Sequence, residues 1–177
     1  IVVDDLEWTS WPGFWESDWT QPGRYREVIQ IGAVRLDGQD HFRETDSLDL
    51  VVKPQINGQL SPYIQDLTGL TQARIDDQGQ PFAQALEIFS GFCGDADLLC
   101  SNGSDEVVIA ENCNLYGLDY PGMYGEKAKN LRPMFAGLLE LDDTDLFSCD
   151  LTAHFGLPEA GQNHDGLADA RSIAAAL

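Results

Sequence analysis

Two carboxylates at the end of the first apolar segment are the residues best placed to do chemistry. Residues 1–9 read IVVDDLEWT, an apolar run of strand type that turns into acids. Side chains alternate faces along a strand, so Asp5 and Glu7 project to the same side about 6–7 Å apart, while Asp4 points the other way. The pair can share a hard divalent cation, because buried carboxylates are costly unless they are paired or hold metal. A D-x-E triplet alone is more often solvated surface.

Further polar groups occur where other predicted elements end or begin. Asp105 follows a short apolar strand, residues 97–101, at the start of a helix. His164 and Asp169 flank the start of the last predicted helix. Each has an ordinary explanation: Asp105 as a helix N-terminal acid favoured by the macrodipole, Asp169 as an exposed carboxylate and His164 as a solvated imidazole.

The order of the predicted elements indicates how these groups are positioned. Three β-rich segments joined by short turns predict an antiparallel meander, followed by strands that alternate with helices. The predicted strands are 1–9, 27–36, 42–52, 97–101 and 127–131. The predicted helices are 62–67, 71–75, 81–92, one from Asp105, 133–141, 145–155 and 166–177, and residues 116–125 are predicted to be a glycine-rich connection. We therefore expect one α/β domain over residues 1–177, with a mixed five-stranded sheet.

An aromatic segment separates the first two strands. Trp11, Phe14, Trp15 and Trp19 are interleaved with proline and glycine, which predicts a long loop over residues 10–25. The aromatic side chains either pack over the edge of the sheet, or one or two of them, with Trp8, stack on a terminal base.

The charge of the chain restricts its partners. Thirty acids against ten lysines and arginines give a formal charge of −20. Nucleic-acid binders usually have the opposite balance, so an extended grip on phosphates is disfavoured and metal-mediated contact with one or two phosphates is left. Adaptation to high salt is a second explanation, because concentrated salt screens the repulsion between an acidic surface and a polyanion.

Cysteine spacing and hydropathy complete the compositional predictions. The chain has four cysteines without C-x-x-C spacing, which favours buried free thiols over a zinc knuckle or a disulfide framework. Without an apolar run of about 20 residues or a leader before the first strand, the sequence predicts a cytoplasmic protein with no membrane partner.

Taken together, the motifs resemble those of the DEDDh 3′-to-5′ exonucleases. Asp5-Leu6-Glu7 matches the first motif, D-x-E; Asp105 matches the middle Asp; and His164 to Asp169 matches H-x4-D. The strand at 27–34, the LTGLT segment at 67–71 and Asn130-Leu131 before a helix are similar too. Within the family, the chain is most similar to the subgroup of the histone-mRNA 3′ exonuclease and the KapD-type sporulation regulators. It departs where the middle motif lacks an aromatic residue and where Asp165, in place of arginine, follows the histidine.

The resemblance implies an RNase H-like three-layer fold and a metal-dependent exonuclease, more readily an exoribonuclease, that releases nucleoside 5′-monophosphates from single-stranded 3′ ends. It implies two Mg²⁺ ions, for which Mn²⁺ may substitute, and no other cofactor. His164 is implied as general base. The implied metal ligands are Asp5, Glu7, Asp105 and Asp169. The implied substrate-binding residues are Leu6, Trp8, Thr9, Thr68 and Leu70.

Three alternatives remain open at this point. One is a DNA exonuclease of the proofreading or repair kind, distinguished by the 2′-OH of its substrate. Another is a regulatory binding module, and a third is an acidic enzyme of the same fold with another substrate. Substrate length, sequence preference, pathway and oligomeric state do not follow from the sequence.

Overall fold

A computed structural model describes residues 1–17, 19–142 and 146–177, except for the side chain of Met123. Its centre is one mixed sheet of six strands in the order β4-β3-β2-β1-β5-β6. The strands are β1 Val2–Trp8, β2 Val28–Asp37, β3 Arg43–Lys53, β4 Gln80–Pro81, β5 Leu99–Ser101 and β6 Ala128–Asn130. The first three pair antiparallel, and β5 and β6 extend the sheet in parallel from β1. This confirms the predicted fold class, and the two-residue β4 is the strand that the sequence did not predict.

Eight α-helices and one 3₁₀ turn cover the sheet within the described residues. The helices are α1 Pro62–Thr68, α2 Gln72–Gln78, α3 Phe82–Cys93, α4 Asp105–Tyr116, α5 Gly122–Lys127, α6 Arg132–Leu139, α7 Leu151–His154 and α8 Gly166–Ala175, and the 3₁₀ turn is Ser148–Asp150. Capping residues explain where several of the helices begin or end. Ser61 and Thr71 cap α1 and α2 by accepting hydrogen bonds from backbone N–H groups, and Gly69 ends α1 in the left-handed conformation.

The alternation of side chains along β1 divides the core into two layers. Val2 and Leu6 pack on one face of the sheet with residues of α3 and α4. Val3 packs on the other face with residues of α6 and α8. Asp5 and Glu7 belong to the Val3 face by this alternation, so they point toward α8. The sheet therefore presents the D-x-E pair to the layer that contains the last helix.

Two predicted segments differ from the structure. The 116–125 connection was predicted without regular structure, but α5 forms there from Gly122. Tyr124 is buried and contacts Phe89, with 5.9 Å between ring centroids, so tertiary packing outweighs the low helix propensity of the glycines. The helix predicted over 145–155 starts at Asp145, which lies outside the described residues; the part described contains the 3₁₀ turn and α7.

The described residues bear on two of the predictions made from composition. No helix there is both long enough and apolar enough to span a membrane. All four cysteines are free, which confirms the predicted thiols; three are buried, and Cys149 is half-buried.

Candidate active site

The end of β1 opens into a cavity with a volume of about 830 Å³. Asp5, Glu7, Asp105, His164 and Asp169 all line it, so folding brings together the five residues predicted to be catalytic. Carboxylate oxygens of Asp5, Glu7 and Asp169 lie within 4.8 Å of one another, and each of these side chains is buried. Asp105 lies in the same cavity, outside that tighter cluster.

A close approach between two glycines brings α8 to the acids. Gly32 of β2 pairs with Asp5 of β1. A Cβ atom on Gly32 would lie only 2.0 Å from the carbonyl carbon of Gly166, the first residue of α8. The helix therefore begins directly against the sheet, and Asp169, one turn along it, reaches the D-x-E pair.

Gln30 holds the start of α8 in this position. Its fully buried side chain accepts a hydrogen bond from the Gly166 N–H at 3.1 Å and donates to Asp165 at 3.2 Å and Asp49 at 2.8 Å. Asp165, which departs from the family pattern, is the N-cap of α8 and accepts a hydrogen bond from the Ala168 N–H. Asp165 thus has a structural role in this chain.

Ser148 adds a contact from the 3₁₀ turn. Its hydroxyl donates a hydrogen bond to Oδ1 of Asp5 at 2.8 Å and also acts to lower the pKa of Asp5. The sequence gave no indication of this residue, because 143 positions separate it from Asp5 and no motif marks it. Its hydrogen bond fixes one carboxylate oxygen of Asp5, whose side chain lines the cavity.

Burial is the largest cause that raises the pKa of each of the four acids. For Asp5 and Glu7, burial is the largest cause and the charges of neighbouring acids add to it. Burial raises the pKa of Asp105 to about 6 and that of Asp169 to about 7. No lysine or arginine among the described residues forms an ion pair with any of the four. The charge of Arg132 acts to lower the pKa of Asp105, and the cluster as a whole remains a concentration of negative charge.

This donor set fits divalent metal ions. Buried carboxylates that form no ion pair are ligands that suit hard cations such as Mg²⁺ and Mn²⁺, and a bound cation would offset the cost of burying their charges. The cluster formed by Asp5, Glu7 and Asp169 supplies three converging oxygen ligands, and Asp105 can supply a fourth from the same cavity.

His164 has an unusual backbone conformation beside the acids. Its φ is 58°, in the left-handed region that few residues other than glycine adopt. Burial lowers the pKa of its imidazole, while the charge of Asp150 opposes the shift. A neutral imidazole is thus favoured near neutral pH, as a general base requires.

An aromatic wall forms another side of the cavity. We use this term for Trp8, Trp11, Phe14, Trp15 and Trp19, which include all four tryptophans of the chain and all line the cavity. The rings of Trp8, Phe14 and Trp15 each meet Trp19 edge to face, at 5.4–5.6 Å between centroids. Phe14 is buried, whereas Trp15 is 60% exposed. The loop thus packs on itself and against Trp8 at the end of β1, and the indole of Trp15 stays exposed.

The predicted substrate-binding residues divide into two groups. Leu6 and Trp8 line the cavity. Thr9, Thr68 and Leu70 do not: the Thr9 hydroxyl donates to the Tyr25 carbonyl, the Thr68 hydroxyl donates to the Ile64 carbonyl, and Leu70 is buried in a small apolar cluster behind α1. These three residues support the loops around the cavity from behind.

The central strand of this mixed sheet carries two acids into the cavity. An acid at a helix start, a histidine and an acid on the last helix complete the set. This arrangement defines the class of DEDDh-type nucleases. The chain belongs to the exonuclease family, whose model matches residues 2–177. The resemblance drawn from the sequence is confirmed.

Several known proteins are similar to this chain over most of its length. It is 28% identical over 184 residues to human 3′-5′ exoribonuclease 1, covering 98% of this chain and 50% of that protein. The chain spans about half the length of the curated relatives that it matches. The nuclease domain of 3′hExo, a DEDDh family member solved bound to rAMP, superposes with a TM-score of 0.83 at 25% identity over 99% of this chain and 88% of that one. E. coli exonuclease I, solved with a dT13 oligonucleotide, has the same fold, with a TM-score of 0.72 at 18% identity over 98% of this chain and 39% of that one.

Proposed function

We propose that residues 1–177 form a single exonuclease domain that removes nucleotides from the 3′ end of single-stranded RNA. The observation that carries the proposal is the convergence of Asp5, Glu7, Asp105, His164 and Asp169 on one cavity in a chain of the exonuclease family. The exoribonuclease relatives favour RNA over DNA.

The proposed reaction is hydrolysis of the terminal phosphodiester bond, with release of a nucleoside 5′-monophosphate. Asp5, Glu7, Asp105 and Asp169 would hold two divalent cations, Mg²⁺ or Mn²⁺. Such ions, when bound, neutralise charge at the attacking and leaving oxygens of phosphoryl transfer. His164 takes the proton from the attacking water, because burial keeps its imidazole neutral and its ring faces the cavity. Ser148 keeps Asp5 oriented throughout.

Substrate binding is proposed to depend on stacking more than on cations. The permanently charged cations among the described residues that line the cavity are Arg26 and Arg132. The guanidinium of Arg26 lies 5.3 Å from the ring centroid of Trp19, so it reinforces the aromatic wall. Base stacking on aromatic rings is worth about 1–3 kcal/mol per base and tolerates any sequence. Trp8 and the exposed Trp15 are the proposed stacking residues, with Leu6 beside the scissile nucleotide.

The decisive experiment follows the shortening of 5′-labelled oligomers. We expect a Mg²⁺-dependent ladder that recedes from the 3′ end of single-stranded RNA, and no ladder from the same RNA with a blocked 3′ hydroxyl. Asp5→Ala should abolish both the ladder and Mn²⁺ uptake measured by calorimetry. Asp119→Ala, at an exposed acid outside the cavity, is the matched control and should leave both unchanged.

Two other functions are separated by the same assay. Oligomers that differ only in a ribose or deoxyribose at the 3′-terminal sugar distinguish an exoribonuclease from a DNA exonuclease, because the 2′-OH is the difference between them. The fold shared with E. coli exonuclease I makes this comparison necessary. If neither polymer gives a ladder, a regulatory binding module or an enzyme of the same fold with another substrate is left.

A further inference from the structure

A second set of metal-ligand side chains lies within the cavity and includes a thiol that the proposed nuclease chemistry does not use. The Sγ atom of Cys149, a ring nitrogen of His164 and a carboxylate oxygen of Asp169 all lie within 4.8 Å of one another. Cys149 is in the 3₁₀ turn, directly after Ser148, and it is half-buried on the cavity wall. Three elements thus converge on one point: the 3₁₀ turn, the loop before α8, and α8 itself.

The chemistry of these ligands differs from that of the acid cluster. Asp5, Glu7 and Asp169 offer oxygen alone, which suits Mg²⁺ and Mn²⁺. Sulfur, imidazole nitrogen and one carboxylate oxygen form a mixed set that suits Zn²⁺, in a four-coordinate site with one position left for water. Ligand atoms of a tetrahedral Zn²⁺ site lie about 2.0–2.3 Å from the ion, so the three atoms, which lie within 4.8 Å of one another, would draw closer together on binding.

We propose that Cys149, His164 and Asp169 form an inhibitory Zn²⁺ site that switches the domain off. Binding joins the Cys149 sulfur to the ion as a thiolate, and the thiol proton passes to solvent. The ion also binds a nitrogen of His164 and an oxygen of Asp169. The imidazole is then no longer free to take a proton, and Asp169 is drawn away from the acid cluster. The effect on turnover rests on the proposed nuclease function, whereas the metal site itself does not.

The left-handed backbone of His164 supports a defined site. A non-glycine residue in this region is held by its surroundings, and such strain is concentrated at binding and catalytic positions. The backbone of His164 also contributes a hydrogen bond that lowers the pKa of Asp169, which ties two of the three ligands together. The histidine is therefore fixed beside Asp169 before any ion arrives.

The first test measures inhibition by Zn²⁺ of RNA shortening at saturating Mg²⁺. Cys149→Ser should retain wild-type turnover without Zn²⁺ and should raise the Zn²⁺ concentration for half-inhibition at least about tenfold, since even the loss of an outer-sphere partner costs about 10–100-fold in affinity. Cys113→Ser, which changes a buried thiol outside the cavity, is the control and should keep wild-type sensitivity. Equal Zn²⁺ sensitivity of wild type and Cys149→Ser would overturn the proposal.

A second test uses the wild-type protein and measures metal binding, so it depends neither on enzymatic activity nor on the folding of a variant. Co²⁺ added to the wild-type protein should give a thiolate-to-metal charge-transfer absorption, and calorimetry of Zn²⁺ in buffers of different ionisation enthalpy should show proton release. A Co²⁺ spectrum without the thiolate band would overturn the site, whatever the polymer assay shows. A thiolate band in a protein that shortens neither RNA nor DNA would uphold the metal site and refute the nuclease function separately.

Discussion

Replacing Gly32 with alanine tests whether the contact between β2 and α8 positions the acids. The added Cβ would lie 2.0 Å from the carbonyl carbon and 2.2 Å from the oxygen of Gly166, and 2.1 Å from the nitrogen of Leu167. Non-bonded carbons pack at about 3.5–4.0 Å, so α8 would have to retreat by roughly 1.5 Å. All three atoms belong to the main chain, so a side-chain rotation cannot relieve the clash.

Stability and metal binding should both fall in this variant. Overpacking of a well-packed core costs about 1–3 kcal/mol, and a clash with a helix backbone belongs at or above the upper end. Asp169 moves with α8, and catalytic groups need to be held within about 0.5 Å, so Mn²⁺ affinity and turnover should fall even in the fraction that stays folded.

Urea unfolding, Mn²⁺ calorimetry and the RNA ladder measure these effects against Gly91→Ala. Gly91 lies within α3, and its added Cβ meets no atom within 4 Å. The control should be neutral or stabilising by about 0.5–1 kcal/mol, because alanine restricts the unfolded chain and favours helix. A Gly32→Ala variant with wild-type stability and Mn²⁺ affinity would refute the account of how α8 delivers Asp169.

Three further predictions concern single side chains. Glu27 is fully buried and accepts hydrogen bonds from three consecutive backbone N–H groups. Glu27→Gln should therefore lower the free energy of unfolding by about 1.5–3 kcal/mol for each bond lost. Glu126→Gln, at an exposed position, should change the free energy of unfolding little. Ser148→Ala removes the hydrogen bond to Asp5 and should weaken Mn²⁺ binding by calorimetry about 10–100-fold; unchanged affinity would show that Asp5 needs no such support. Asp4 is buried on the opposite face of β1, and burial raises its pKa well above the usual value. The folded state therefore keeps a proton that the unfolded state loses near pH 4, so the stability of the protein freed of metal by a chelator should fall as pH rises above that value. Asp4→Asn should be more stable than wild type at pH 8 and about as stable as wild type at pH 4. Thermal unfolding measures this, and curves of stability against pH that run parallel for the two proteins would contradict it.

The site could be predicted from the sequence where a local pattern carries the information. Strand alternation placed Asp5 and Glu7 on one face of β1, and the end of an apolar segment placed Asp105 at the start of a helix. Their convergence with Asp169 required the family resemblance, because no local rule says that α8 returns to β1.

The remaining site residues depend on contacts between distant parts of the chain. Gln30 reads as an ordinary polar residue in a strand, and its role becomes visible only when the Gly166 N–H is placed against it. Ser148 and Cys149 lie in a short 3₁₀ turn without a motif. The substrate-binding predictions had the same weakness, since Thr68 sits in a matching segment but its hydroxyl is used within α1.

The strong negative charge of the chain and a polyanionic substrate are compatible because charge acts locally. At about 0.1 M salt the Debye length is about 10 Å, so acids on distant surfaces contribute little to the field in the cavity. Arg26 is already paired with Glu111, so Arg132 is the cavity cation left to neutralise a phosphate, and one such contact to a single strand gives a salt slope of only about −0.7 in log K against log salt. The acid cluster attracts phosphate only once its own charge is balanced by metal, and stacking on the aromatic wall is independent of charge. In the proposed reaction, the same acids that repel a nucleic acid from the metal-free protein therefore become the means of holding its 3′ end when divalent cations are bound.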